Sequence, residues 1–228
     1  MNIIVVGGSS GLGWECARKL AASHKVWCWS RRNISPPDTT SCRFDLAAYT
    51  GAPDATIDLL LTTADCLLIA GGMGAFYGPH QLSAEVVDRM FHTNARGPIL
   101  LANRFLLMHR AIKTPGRVVV VSSTAATSGG HGLGVYAASK AAVEAWIASE
   151  GRHQAKYGID IVSAALGWFD SPMTENLRPE VRKRAEARCP KGRFATLEEA
   201  SDFVLSVLTT LKGDGGTRHT FWEPYCSP

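Results

Sequence analysis

The sequence lacks the patterns that would place the chain in a membrane, a disulfide framework or a metal centre. No apolar run approaches the roughly 20 residues that a membrane-spanning helix needs. The six cysteines include no CxxC pair and the seven histidines include no HxxxH pair. The chain starts without a basic segment followed by a long apolar stretch, which argues against a signal peptide. We therefore expect a cytoplasmic protein with reduced thiols, no bound metal and no membrane partner.

Charge is also sparse in this chain. Charged residues make up 19% of the 228 residues, the net charge is +4, and no long block of lysine and arginine occurs. A nucleic-acid-binding face needs a denser basic stripe, so nucleic acid is not an expected partner. With 46% apolar residues, the composition is that of a folded protein, and the length suits a single domain over residues 1–228.

Apolar runs rich in β-branched residues alternate with helix-like segments. The runs predict strands at 2–6, 25–29, 65–70, 117–122 and 159–165. The segments predict helices at 12–23, 83–112, 134–156 and 196–211. Continuous apolar strands separated by helices indicate an α/β fold, which we predict to be a single doubly wound, Rossmann-like domain with a mainly parallel sheet of about seven strands. Residues 168–195 break the alternation and are expected to form a lid over the carboxyl edge of the sheet, where ligands bind in such folds.

A glycine-rich turn, GGSSGLG, joins the first predicted strand to the first helix. Glycine lets the backbone turn tightly and approach a ligand closely, and the free N–H groups of a helix start favour a pyrophosphate. A plain structural turn would also use glycine, so the loop alone leaves both interpretations open. In the nucleotide interpretation, the cofactor-binding residues of this turn are Gly7, Ser9, Ser10, Gly11, Leu12 and Gly13.

The end of the second predicted strand bears on the choice of cofactor. An NAD site usually places a carboxylate there for the ribose 2′-hydroxyl, whereas an NADP site uses arginine. The sequence has Ser30, Arg31 and Arg32 at this point, with no acid. Two guanidinium groups pair well with a 2′-phosphate, so we expect NADP(H). The alternative is a solvated pair of surface arginines.

Tyr136 and Lys140 are four residues apart at the start of a predicted helix, which places both side chains on one face. A nearby ammonium stabilises a phenolate and lowers the tyrosine pKa, so such a tyrosine can exchange a proton with a carbonyl or alcohol oxygen. The same spacing also arises by chance. Ser123 follows the strand predicted at 117–122, thirteen residues before Tyr136, and its hydroxyl can bond a substrate oxygen or cap the next element.

Taken together, five ordered motifs resemble the short-chain dehydrogenase/reductase family over about residues 2–175. Gly7, Gly11 and Gly13 resemble its GxxxGxG loop, and Ser123 with Tyr136 and Lys140 resembles its catalytic serine and YxxxK motif. The pair at 45–46 resembles its adenine-contacting residues, Asn94 its helix asparagine, and 166–171 its PGxxxT segment. The resemblance adds these residues to the cofactor-binding set: Asp45, Leu46, Ala70, Gly71, Gly72, Asn94, Tyr136, Lys140, Gly167, Phe169 and Ser171.

The resemblance also implies catalytic roles. Tyr136 would be the acid/base, and Ser123 would position and stabilise the reacting oxygen. Lys140 would lower the Tyr136 pKa and hold the nicotinamide ribose, while Asn94 would support a water-linked proton relay to the lysine. The implied assembly is a homodimer or homotetramer joined through helices at 83–112 and 137–156.

Several positions depart from the family pattern. The family's NNAG is replaced by Ile69-Ala70-Gly71-Gly72, which loses side-chain bonds that brace the sheet. Leu166 replaces a proline, and Ser171 replaces a threonine while keeping a hydroxyl. The usual glycine-rich ending is replaced at 218–228, where Phe221, Trp222 and Tyr225 either close a pocket or lie at a subunit contact.

The substrate side is expected to include His131, Trp168 and Met173, with Phe169 and Phe194 adding apolar surface. Residues 175–193 carry seven basic and three acidic side chains. This excess indicates either an anionic or carrier-bound substrate or simply a solvated helix face. His131 either touches substrate or is an ordinary loop residue.

The leading hypothesis is therefore an NADP(H)-dependent oxidoreductase that interconverts a small-molecule carbonyl and a secondary alcohol. A second is a reductase of carrier-bound 3-oxoacyl groups on the same fold. A third is a non-catalytic NADP(H)-sensing or scaffold protein, although such a protein has no physical need of Asn94, Ser123, Tyr136 and Lys140 together.

Overall fold

Seven strands form one sheet in the computed structural model, which describes residues 1–74, 76–130, 132–209 and 213–222. In chain order they are β1 Asn2–Val6, β2 Lys25–Ser30, β3 Thr40–Arg43, β4 Cys66–Ile69, β5 Gly116–Ser123, β6 Ile159–Leu166 and β7 Arg218–Phe221. The order across the sheet is β3-β2-β1-β4-β5-β6-β7, and all neighbours are parallel. The chain builds one half of the sheet outward from β1 and returns at β4 to build the other, so the predicted doubly wound α/β fold is confirmed.

Helices cover both faces of this sheet. Within the described ranges they are α1 Gly11–Ala21, α2 Ala55–Thr63, α3 Ala84–Phe91, α4 Gly97–Ile112, α5 Ala125–Ser128, α6 Gly134–Gln154, α7 Pro179–Glu186 and α8 Leu197–Thr209. Successive strand side chains point to opposite faces, so Ile4 packs with α2, α4 and α6 while Val5 packs with α1 and α8. The sheet therefore lies between two buried apolar layers.

The structure changes three details of the sequence-based prediction. The helix predicted over 83–112 is interrupted by a π-helical turn at His92–Arg96, between α3 and α4. Strands β3 and β7 were not located from sequence because they read TSCR and RHTF, without an apolar run. These two segments form strands because they hydrogen-bond to β2 and β6. Strand β7 lies in the C-terminal segment that replaces the family's glycine-rich ending.

A buried ion network holds the amino-terminal edge of the sheet. The guanidinium of Arg117, at the start of β5, lies 2.8 Å from the Asp214 carboxylate and 3.3 Å from that of Asp160. It also donates to the Val207 carbonyl at 3.0 Å, and His219 reaches Asp214 at 2.6 Å. Burial acts to raise the Asp214 pKa, but the bonds from Arg117 and His219 outweigh it and hold the pKa below its ordinary value. The network thus ties β5, β6 and α8 to the turn that leads into β7.

The Arg117→Leu variant should lose about 3 kcal/mol of unfolding free energy, because the buried Asp160 and the partly buried Asp214 would lose their cation. Urea denaturation followed by far-UV circular dichroism measures the change. Arg184→Ala, on the exposed face of α7, is the control and should change stability by no more than about 0.5 kcal/mol. An unchanged Arg117→Leu midpoint would show that the network does not stabilise the fold.

Candidate active site

The glycine-rich turn after β1 makes close backbone contact with the segment after β4. Gly7 has φ +89°, and a Cβ atom on it would lie 2.6 Å from the backbone nitrogen of Gly71. Gly11 also has a positive φ, of +55°, and a Cβ on Gly13 would collide with the Gly7 carbonyl. The turn, the start of α1 and the β4 exit therefore fit together only without side chains at these positions. They form a cleft where the strand order reverses, between β1 and β4.

The amino terminus of α1 faces this cleft, and no side chain neutralises the partial positive charge of the helix dipole there. Ser10 precedes the helix in an extended conformation and makes no side-chain capping bond. The first turn contains no acidic residue, and the first N–H groups of a helix, here those of Gly11, Leu12 and Gly13, have no partner within it. Donors and a positive dipole end thus point to where a pyrophosphate would bind.

Arg32 brings a cation to the same turn. Its guanidinium donates to the Ser9 carbonyl at 3.0 Å and lies 3.4 Å from the Ser9 hydroxyl. Ser30, the last residue of β2, donates its hydroxyl to the Arg32 carbonyl and so braces the bend. Arg31 is exposed beside it. The three residues expected to bind a 2′-phosphate therefore lie together at one edge of the cleft.

The residues expected to border the adenine lie on the other side of Gly7. Leu46 is buried, and its Cδ2 lies 3.5 Å from the position of a Cβ on Gly71. The Asp45 carboxylate accepts a bond from the Ala47 N–H at 3.0 Å, which shapes the turn after β3. Ala70 continues the β1 pairing, donating to the Val6 carbonyl at 2.9 Å. The small Ala70 and the apolar Leu46 therefore lie beside Gly71.

Asn94 lies in the π-helical turn, and hydrogen bonds to the segment after β4 hold its side chain in place. Its side-chain Oδ1 accepts from the Met73 N–H and its Nδ2 donates to the Met73 carbonyl, both at 2.8 Å. Nδ2 is also 3.1 Å from the Ser139 hydroxyl, next to Lys140 in sequence. A Cβ on Gly72 would lie 3.3 Å from Asn94 Oδ1 and 3.5 Å from Lys140 Nζ. The side chains of Asn94 and Lys140 therefore both lie next to Gly72.

Ser123, at the carboxyl end of β5, contacts both α5 and α6. Its hydroxyl accepts a hydrogen bond from the Ala125 N–H at 3.1 Å, so the capping role considered from sequence is present. The same hydroxyl is hydrogen-bonded to the phenol of Tyr136. Capping and an active-site role are thus compatible, because a hydroxyl can accept one bond and take part in another.

The protonation of the Tyr136–Lys140 pair differs from the expectation drawn from spacing. Burial raises the pKa of Tyr136, and the Ser123 bond only partly offsets this, so the expected lowering by Lys140 is not found in this structure. The Lys140 ammonium is buried and donates to the Val121 carbonyl at 2.9 Å. Burial lowers the pKa of Lys140 to about 8, against an opposing effect of Glu144. Both side chains are therefore protonated at neutral pH.

Glu144, a charged residue that the sequence analysis did not identify, lies close to Lys140. Glu144, one turn further along α6, accepts a bond from the Ser163 hydroxyl at 2.7 Å and lies 3.5 Å from Arg218 Nε. Arg218, in β7, also reaches the carbonyl of Ser123 at 3.5 Å. The i, i+4 spacing from Lys140 was a signal for Glu144, but nothing local in sequence pointed to Arg218.

The segment after β6 returns over the glycine-rich turn. Gly167 donates to the Phe221 carbonyl at 2.9 Å, and Phe169 pairs with Ala195 while its ring packs against the α1 and α8 layer. The Thr174 hydroxyl, also missed from sequence, accepts from the Ser171 N–H at 3.0 Å. Beyond Ser171 the chain continues as Pro172, whose Cδ would be 3.5 Å from a Cβ on Gly11.

Two of the three residues expected on the substrate side are described. Trp168 stacks between Phe76 and Phe194, and Met173 is half exposed beside Gly74. His131 lies outside the described residues, as does Tyr225. Apart from those gaps, no group of three or more His, Cys, Asp or Glu residues is arranged to hold a metal ion. Across the same described ranges, none of the helices has the length and apolarity that crossing a bilayer requires.

The basic residues between 175 and 193 divide into paired and exposed groups. Arg182 lies 2.7 Å from both the Asp170 and the Glu186 carboxylates. Arg193 pairs with Glu199, also at 2.7 Å. The remaining basic side chains of this segment are exposed to solvent: Arg178, Lys183, Arg184, Arg188 and Lys191. Two of the seven basic side chains of this segment, Arg182 and Arg193, are thus already paired with carboxylates.

Residues 1–182 match the family described as short chain dehydrogenase, and the chain belongs to that family. It is 29% identical over 240 residues to an L-xylulose reductase of Caenorhabditis elegans, with 94% of each chain covered. It is 28% identical over 159 residues to a 3-oxoacyl-[acyl-carrier-protein] reductase of Thermotoga maritima, covering 70% of this chain and 60% of that one. Among solved structures, an actinorhodin polyketide ketoreductase with NADPH has the same fold, with a TM-score of 0.82 at 20% identity over 97% of this chain and 95% of that one. The protein is thus an oxidoreductase of a family that uses a nicotinamide cofactor in carbonyl and alcohol chemistry.

The lowered pKa of Lys140 predicts a specific pH dependence of stability. Between pH about 8 and 10.5 the unfolded chain holds the lysine proton that the folded protein has lost, so stability relative to Lys140→Met should rise with pH across this window. The expected change is about 3 kcal/mol. Urea unfolding of both proteins between pH 7 and 11 measures it.

The exposed Lys183→Met substitution is the matched control and should alter stability by the same amount at every pH. A difference between wild type and Lys140→Met that stays constant with pH would contradict the lowered pKa.

Proposed function

We propose that this protein is an NADP(H)-dependent oxidoreductase that interconverts a small-molecule carbonyl and a secondary alcohol, with Tyr136 as the acid/base. The observation that supports this most is the joint placement of Ser123, Tyr136, Lys140 and Asn94 beside the glycine cradle. The close backbone packing at Gly7 and Gly71, an open helix terminus and a nearby guanidinium fit a dinucleotide. When bound, the nicotinamide supplies or accepts the hydride.

The side chains of this site suit the reductive direction at neutral pH. Because burial raises the pKa of Tyr136, its phenol holds a proton that it can donate to the oxygen of a reduced carbonyl. Ser123, which already bonds the phenol, would hold that oxygen beside it. Lys140 keeps its charge below pH about 8, which suits the hydroxyls of a ribose.

Asn94 would act in a proton relay behind the lysine. Its amide is fixed on Met73 by two bonds, so the turn that carries it stays in place beside Gly72. His92–Arg96 form a π-helical turn, a feature that is frequent at functional sites. A water held there would connect Lys140 to solvent.

The preference for NADP(H) rests on Arg32, Arg31 and Ser30. Arg32 is positioned by Ser9, and no carboxylate is present at the end of β2 to repel a phosphate. We further propose that residues 168–195 form a lid on a single domain over 1–228, since Pro172 lies above Gly11 and Phe169 pairs with Ala195. Exposed apolar residues at Leu107 and Ile112 on α4 support the expected homodimer or homotetramer.

A second candidate function is the reduction of carrier-bound 3-oxoacyl groups. The similarity to the Thermotoga maritima reductase and the exposed basic residues of α7 favour it. Against it, Arg182 and Arg193 are already paired with carboxylates. A non-catalytic NADP(H)-sensing role would leave the Ser123–Tyr136 bond and the buried Lys140 without a purpose.

Replacing Tyr136 by phenylalanine should lower NADPH-dependent ketone reduction by about a hundredfold or more, because the proton donor is removed. NADPH binding, followed by cofactor fluorescence, should be retained. Tyr157→Phe, at an exposed tyrosine, is the control and should reduce ketones at the wild-type rate. Equal rates for the Tyr136→Phe protein and the wild type would refute the proposed mechanism.

The Arg32→Ala variant should bind NADPH about tenfold or more weakly, while NADH binding changes little, because only the 2′-phosphate loses a charge-assisted bond. Fluorescence titration with both cofactors measures the two dissociation constants. Arg110→Ala, far along α4, should alter neither. Parallel weakening toward both cofactors would assign Arg32 to the loop structure instead.

A further inference from the structure

An aromatic pair spans the strand end that carries Ser123. Strand β5 lies between β4 and β6 in the sheet. Phe76 follows β4 and Trp168 follows β6, yet their rings are nearly parallel, at 4°, with centroids 6.1 Å apart. Two side chains that start on either side of β5 therefore meet above its carboxyl end, where Ser123 is placed.

The stack continues into the segment at 168–195. Trp168 lies 5.3 Å from Phe194 with an interplanar angle of 11°, and Phe194 is only 2% exposed. The Arg182 guanidinium lies 4.6 Å from the Phe194 ring centroid and is itself fixed by Asp170 and Glu186. We call Phe76, Trp168 and Phe194 the aromatic rail. It is fixed firmly at its Phe194 end.

The opposite end of the aromatic rail is open. Phe76 is 40% exposed, although its position is set by the loop that leads into α6. Tyr77 donates to the Gly132 carbonyl at 3.0 Å, and a Cβ on Gly132 would lie 3.5 Å from the Phe76 ring. Gly132 lies four residues before Tyr136, in the loop that leads into α6. An accessible ring thus borders the approach to the proposed acid/base.

The chemistry of the aromatic rail limits what it can recognise. None of its side chains is charged, and its one polar atom is the indole nitrogen of Trp168. A polyol would leave hydroxyl groups without partners on this surface, which is unfavourable. An anion would find the nearest cation, Arg182, already engaged by two carboxylates. A flat apolar ring, in contrast, gains both burial and stacking.

We propose that the aromatic rail is the substrate-recognition surface of the site and selects ketones that carry a planar aromatic ring next to the carbonyl. The proposal rests on the proposed function, since it assigns the substrate class of the same site. The ring would pack against the exposed part of Phe76, at the open end of the aromatic rail, and the carbonyl would then point to Ser123, at the end of β5, and to Tyr136. Selection would come from ring planarity as well as from apolar character.

The test compares NADPH oxidation with four carbonyl compounds. Acetophenone presents a planar ring, cyclohexyl methyl ketone has a puckered ring of similar size, a ketopentose is a polyol, and a 3-oxoacyl thioester is the carrier-type substrate. We expect kcat/KM for acetophenone to exceed that for cyclohexyl methyl ketone by roughly five- to tenfold. The ketopentose and the thioester should be poorer than both.

Substitutions at Phe76 locate the origin of this preference. Phe76→Leu keeps apolar bulk without a ring and should bring the ratio of the two ketones close to one, whereas Phe76→Tyr should keep it. Phe203→Leu removes a ring from a different stack, with Phe221 on the outer layer, and should leave the ratio unchanged. Cofactor binding by each variant confirms that the fold is intact.

The outcomes separate the two proposals. No NADPH oxidation with any of the four compounds would overturn the proposed function itself. Turnover without a preference for the planar ring, or with preference for the ketopentose or thioester, would overturn the role of the aromatic rail and leave the oxidoreductase intact. A preference for acetophenone that persists in Phe76→Leu would also contradict the proposed role of the aromatic rail.

Discussion

The contact between Gly7 and Gly71 is the constraint on which the rest of the site depends. It joins the exits of β1 and β4, the two strands between which the chain reverses its direction of growth. With backbone against backbone at this point, the start of α1 and the recess at Leu46 open toward one cleft. The same β4 exit then continues to Met73, which clamps Asn94, and to Phe76, which reaches Trp168. The Gly71 contact, the backbone partner of Asn94 and the first ring of the aromatic rail are therefore successive parts of one segment.

Local patterns were enough to predict the cradle and the proposed catalytic residues. Gly7, Gly11 and Gly13 stand in a short turn between a strand and a helix, and Tyr136 and Lys140 are one helical turn apart, so sequence spacing fixes their geometry. Spacing does not fix burial, however, and this is why the pKa of Tyr136 is raised where a lowering was expected. The environment of the pair depends on the strands and helices packed around it.

The features that could not be predicted all depend on distant parts of the chain. Strand β7 has no apolar run and exists because it pairs with β6. Arg218 reaches Glu144 across more than seventy residues of sequence, and Phe76 meets Trp168 across more than ninety. Phe76 also lies in a loop without periodicity, where sequence analysis has no pattern to use. Hydrophobic periodicity identifies helices and strands, but these long-range contacts between side chains follow from the order of the strands in the sheet.

The position of Arg218 has a consequence for the order in which the site is assembled. The glycine-rich turn, Ser123, Tyr136 and Lys140 all precede β7 in the chain, so a ribosome releases them before the strand that faces Glu144. Until β7 docks, the Glu144 carboxylate lacks the cation beside it, and the carbonyl of Ser123 lacks its bond from Arg218. Synthesis from the amino terminus thus releases the glycine-rich turn, Ser123 and Glu144 before the strand whose arginine contacts the last two.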